Sequence, residues 1–176
     1  MKTLLILFLN FSITGFAQKN SFPNSFVGHW KGDIEILGID STLRTIPMAL
    51  NIKKTNDNLI YKWEIVYHLN DSTKDVRTYS LIVVDSLKGE YVIDEKNGIV
   101  MESYYKNNTF TSFFTVMENF ILFSYILTEN TIIIDVFSAP TKAVNFSGGT
   151  TVNGEEIPKV ESFLINGRQH GVLILN

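Results

Sequence analysis

Turn-forming pairs recur through the second half of the chain every ten or eleven residues: Asn97-Gly98, Asn107-Asn108, Glu118-Asn119 and Glu129-Asn130. Asn tolerates positive φ, and Gly adopts it without steric cost, so such pairs suit tight hairpins. The runs between them are rich in Ile, Val, Phe, Tyr and Thr, which fit a pleated sheet. No segment carries a sustained 3.6-residue period with helix caps. The spacing therefore predicts a meander of antiparallel strands.

Alternation in the first half agrees. Trp30, Gly32, Ile34 and Ile36 share one face, and His29, Lys31, Asp33 and Glu35 the other. Ile46, Met48, Leu50 and Ile52 oppose Asn51 and Lys53. Leu59, Tyr61, Trp63, Ile65, Tyr67 and Leu69 oppose Lys62, Glu64 and His68. A period of two means one buried and one wet face. The pattern predicts strands at 27–38, 42–54, 59–69, 75–85, 89–95, 99–106, 109–117, 120–128, 131–138 and 160–175, the last broken at Asn166-Gly167.

That many short strands need their edges managed, and closure removes edges altogether. A Greek-key sandwich needs long crossovers, and only residues 139–157 are long enough to serve as one. The fold class expected is all-β: an antiparallel up-and-down β-barrel of about 8–10 strands. Residues 139–157 break the beat with Ala139-Pro140, Gly148-Gly149 and Asn153-Gly154. They read either as a lid over one mouth or as a surface loop.

The first seventeen residues have the make-up of a secretory signal: Lys2, the apolar run Leu4 to Leu9, and small residues at Gly15 and Ala17. The run is shorter than the ~20 residues of a transmembrane helix. The chain is thus expected to be exported, to periplasm or beyond, with cleavage after Ala17. Residues 18–25 form an N-terminal segment and 26–176 the barrel domain. Losing Lys2 leaves 14 basic against 18 acidic residues, a net charge of −4. Such a chain has no electrostatic footprint for nucleic acid and no polybasic run for anionic lipid. With no cysteine, the fold has no disulfides, thiolate zinc sites or lipidated cysteine. A membrane-spanning barrel is not expected either. Charged alternates such as Lys31, Glu35 and Lys62 oppose faces crowded with Trp, Tyr and Ile, which suits a filled interior better than a lipid band.

Phe26-Val27-Gly28-His29-Trp30-Lys31-Gly32 opens the first strand. It resembles the Gly-x-Trp start of the calycin group, which contains lipocalins, fatty-acid-binding proteins and avidins. The resemblance implies that Trp30 plugs the closed end of the barrel and that Gly28 admits the chain tightly. It also implies an Arg late in the last strand, stacked on the Trp, for which Arg168 is the available match. The lipocalin disulfide and C-terminal helix are missing. The wider sequence is similar to uncharacterised lipocalin-like proteins exported by Bacteroidota, for which membership implies no established activity.

A barrel of this kind holds either a side-chain core or one small ligand. Trp30, Tyr61, Trp63 and Tyr67 project to one interior by parity, and Arg77 and Tyr79 share an inward face. These six are the candidate ligand-binding residues. An inward Arg77 needs a carboxylate partner or an anionic ligand head. At a strand end it would instead reach solvent. His29 and His170 lie on the first and last strands and could approach, but solvated surface histidines are the preferred reading. His170 as an axial haem ligand, as in the barrels called nitrobindins, is the lesser alternative. No cofactor or metal is expected.

The chain contains no nucleophile elbow, zinc-protease motif or P-loop, so binding without catalysis is the preferred function. Acid pairs such as Asp94-Glu95 read as turn residues. Strand 120–128 is apolar on both faces, with Phe120, Leu122 and Ile126 opposing Ile121, Phe123, Tyr125 and Leu127. Either another segment covers it (Phe22 and Phe26, or 139–157), or it mediates a homodimer. The alternative to a ligand carrier is accordingly an interaction protein with a filled barrel.

Overall fold

The computed structural model describes residues 21–38, 43–70 and 72–176. The signal expected over residues 1–17 therefore lies outside the described residues. Ten strands close into one antiparallel barrel: β1 Gly28–Leu37, β2 Leu43–Lys54, β3 Ile60–His68, β4 Lys74–Asp85, β5 Glu90–Asp94, β6 Val100–Lys106, β7 Thr109–Val116, β8 Asn119–Thr128, β9 Thr131–Pro140 and, after four short strands, β14 Gly167–Leu175. Each strand through β9 pairs with the next, and β14 closes the ring between β9 and β1. The fold is all-β, up-and-down and lipocalin-like. Most ends fall within a residue of the positions read from turn chemistry. The pair expected at Glu118-Asn119 sits one residue earlier, with Met117 and Glu118 at φ 47° and 59°. Both are left-handed, as a two-residue hairpin demands.

The stretch 139–157 is more ordered than an irregular loop. It contains β10 Asn145–Ser147, β11 Thr150–Val152 and β12 Glu155–Ile157, followed by β13 Val160–Ser162. β10 pairs with β13 and β11 with β12, so the insertion is a nested hairpin arm. All twelve residues of these strands are exposed, so the arm does not cover the barrel as a lid.

Parity assigns the faces as expected. Trp30, Ile34, Leu50, Ile52, Trp63 and Leu81 form the inner core, while Lys31, Asp33, Glu35 and Lys53 are exposed. Among the described residues, no helix is long and apolar enough to cross a membrane.

The barrel ends differ. A 3-10 turn, Asn24–Phe26, enters the end where β1 begins. Phe22 stacks on Tyr105 and Phe110, with ring centres 4.2 and 5.0 Å apart, and meets Tyr91 edge-on at 4.8 Å. The Trp30 indole N–H donates to the Phe26 carbonyl at 2.9 Å. Phe22 and Phe26 thus seal the closed end and do not cover the outer face of β8. Burying an aromatic core here removes ring surface from water and satisfies the indole donor in one step.

Candidate functional site

The open end leads into a cavity of about 240 Å³ in the upper half of the barrel. Its floor is Trp63 and Phe110, which also pack on the plug: Phe26 lies 6.4 Å from Trp63 and Phe22 5.0 Å from Phe110. Its walls are Ile65, Tyr67, Tyr79, Ile93, Met101, Phe114, Ile121, Phe123, Tyr125 and Val136. Three polar side chains, Arg77, Glu95 and Gln169, complete the lining. A larger depression, about 680 Å³, lies outside β1–β3 among Lys31, Thr45, Pro47, Ala49, His68 and Lys74. That groove lies on the outer surface and lacks the aromatic lining of the interior.

Four sequence candidates therefore line one cavity: Trp63, Tyr67, Arg77 and Tyr79. Trp30 and Tyr61 do not. They belong to the closed end, where the Tyr61 hydroxyl donates to Asn24 Oδ1 at 3.1 Å. Parity put all six on the inner face, but it cannot tell one end of a barrel from the other.

Arg77 resolves its two readings in a mixed way. It lies at the mouth with a side chain 54 % exposed, yet it is paired. Its Nε and Nη2 both donate to Asp75 Oδ2, at 3.0 and 2.9 Å. Its guanidinium carbon stands 5.3 Å from the centre of the Tyr67 ring. Partial burial pulls the Arg77 pKa down, but the hydrogen bonds to Asp75, the Asp75 charge and the nearby Tyr67 and Tyr79 together hold the group above its ordinary value. The carboxylate partner required of an inward guanidinium is thus Asp75, two residues away on the same strand face.

Burial also sets the state of the phenols. Desolvation pushes Tyr67, Tyr79 and above all Tyr125 upward from the ordinary value, with Arg77 pulling the other way. All three stay neutral, able to donate or accept a hydrogen bond. Tyr125 packs edge-on against Trp63, with ring centres 5.2 Å apart, and Phe123 stands 5.6 Å from Tyr125.

Much of the lining was passed over at the level of sequence. Phe110, Phe114, Phe123 and Tyr125 share the inward parity of β7 and β8, which was the available signal. Glu95 read as half of a turn pair. In the structure both serve that turn, Asp94 accepting the Lys96 amide at 2.7 Å and Glu95 the Asn97 side-chain amide at 3.1 Å, and Glu95 lines the cavity as well.

Register separates other expected neighbours. Trp30 pairs with Leu175 and Leu37 with Arg168, so Arg168 lies at the opposite end from Trp30. It bonds Asp135 at 3.3 Å and covers the Phe137 ring at 5.4 Å, on the outside. His170 sits opposite Glu35, six residues along β1 from His29, or roughly 20 Å at strand rise. The two histidines therefore do not meet. His170 faces outward, with Nδ1 3.0 Å from Asp135 Oδ1, while its neighbour Gln169 lines the cavity. It is not placed to ligate a haem inside the barrel.

No protein-family model matches this chain. No curated protein matches it either. Among solved structures, it is similar to CPES, an S-type phycobiliprotein lyase from Guillardia theta, with a TM-score of 0.56 and 9% identity over 85% of this chain and 88% of that one. At that identity, what the two share is the barrel fold.

Proposed function

We propose that this chain is an exported lipocalin-like barrel, of the calycin type, that encloses one small apolar or amphipathic molecule and performs no catalysis. The observation that carries this reading is the half-filled interior: a packed aromatic plug below and an aromatic-lined cavity of about 240 Å³ above. Ligand pockets usually span ~300–1,000 Å³, so the occupant is small, a single ring system or a short chain. The shared fold with a phycobiliprotein lyase supports a ligand-handling barrel. The signal-like residues 1–17 support export.

Tryptophan fluorescence tests it, because Trp63 lines the cavity and Trp30 does not. Titration with small aromatic and short-chain amphiphiles should give saturable quenching. The quenching should persist in Trp30→Phe and vanish in Trp63→Phe. Haem and retinoids should fail to saturate. Absence of saturable quenching by every small compound would remove the proposal.

The outer face of β7–β9 favours a second reading, an interaction protein that pairs with another copy of itself. Phe113, Leu122 and Phe137 form one cross-strand row, and Phe113 is 63 % exposed and Leu122 38 %. Phe120 stacks on Phe113 at 5.6 Å and is met by Phe163 at 5.3 Å, so the insertion covers only part of this face. Phe123, on the other face of the same strand, lines the cavity and takes no part in this row. Phe113→Lys should leave the fold intact and convert a dimer to a monomer in light scattering. A wild-type protein already monomeric at high concentration would end this reading.

A further inference from the structure

The cavity mouth carries charges of both signs, and they are not equally committed. Its cation, Arg77, is held by Asp75 through two hydrogen bonds and lies over Tyr67. Its carboxylate, Glu95, accepts one hydrogen bond, from Asn97 Nδ2 at 3.1 Å. Among the described residues Glu95 forms no ion pair, not even with Lys96 beside it in the chain. Asp75 adds a second carboxylate, but it is paired with the Arg77 guanidinium.

An incoming anion would meet Glu95 and find the Nε–Nη2 edge of Arg77 already turned to Asp75. A cation meets the reverse. Glu95 offers an uncommitted counter-charge at the rim of an apolar space, where a charge gains most from a partner. Below it, aromatic rings surround the space, and ring faces attract cations by their quadrupole. Neutral Tyr67 and Tyr79 add hydroxyls that can accept from an ammonium group.

We infer that the molecule this cavity takes is an amine: an aromatic or short alkyl body seated on Trp63 and Phe110, with its ammonium group at Glu95. The inference rests on the cavity being a binding site and deepens that reading. It also departs from the fatty-acid arrangement in which an inward arginine holds a carboxylate, because here Asp75 already fills that role.

Three probes of one shape decide it: phenylbutylamine, phenylbutanol and phenylbutyrate, titrated against the whole protein by calorimetry at neutral pH and low salt. The amine should bind about tenfold or more tighter than the carboxylate, with the alcohol between them. Glu95→Gln should bring the amine to the level of the alcohol and leave the alcohol unchanged. Equal binding of all three, or tightest binding of phenylbutyrate, overturns the amine inference and leaves the cavity as a binding site. An amine preference that survives Glu95→Gln undiminished also overturns it. No binding by any of the three, the alcohol included, overturns the cavity reading together with the inference.

Discussion

Gly32→Ala is expected to cost at least about 3 kcal/mol of folding stability, the upper end of what overpacking a core usually costs. Gly32 lies in the middle of β1, opposite Leu173 of β14 and Met48 of β2. A Cβ built there overlaps the Val172 carbonyl oxygen and meets its carbonyl carbon at 3.0 Å and the Leu173 Cα at 3.2 Å. These are backbone atoms, so no rotamer change can relieve the contact. The β1–β14 pair is the seam that closes the barrel, and parting it exposes two edges at once. Urea unfolding followed by fluorescence should show the midpoint falling by roughly 1 M or more, given slopes of ~1–3 kcal/mol per molar. Stability within ~0.5 kcal/mol of wild type would show that β14 can shift to accept a side chain and that closure is not so tight.

Phe26→Ala should have an effect of similar size by the opposite route, a cavity in place of a clash. Phe26 is fully buried, its ring stands 5.0 Å from Phe22, and its carbonyl accepts the Trp30 indole. Removing a buried phenyl ring costs ~3–5 kcal/mol, because transfer energy and packing are lost together. At ~2–4 °C per kcal/mol for a chain of this size, the melting temperature should fall by roughly 10 °C. The plug also forms the cavity floor's support, so Trp63 fluorescence should shift even below the melting transition. Phe113→Ala, on the outer face, is the comparison: a change there that matched Phe26→Ala would mean the plug carries no special share of stability.

How legible the molecule was depends on the range of the interaction concerned. Turn residues act on their own backbone, so Asn107-Asn108 and the Met117-Glu118 region marked hairpins almost to the residue. Side-chain parity is likewise local, so Tyr61, Trp63 and Tyr67 were assigned to the inside from their strands alone. Residues 21–26 had no periodicity to read, and their passage into the barrel end could not be inferred. The glycine-rich insertion read as irregular because three-residue ladders are too short to show alternation.

The grouping of the site lay beyond these signals. Whether an inward residue belongs to the plug or to the cavity depends on how far along the closed barrel it sits, which the register of all ten strands sets together. Trp30 and Trp63 have the same parity and different neighbours for that reason. The position of Glu95 at the mouth follows from strand twist and side-chain direction across the ring. So does the row of Phe113, Leu122 and Phe137 on the outside, which joins three strands. Period-two patterning and turn chemistry were enough to specify strands, faces and an antiparallel meander, because they act over a few residues. The cavity, its floor and its charge exist only once β14 has closed on β1.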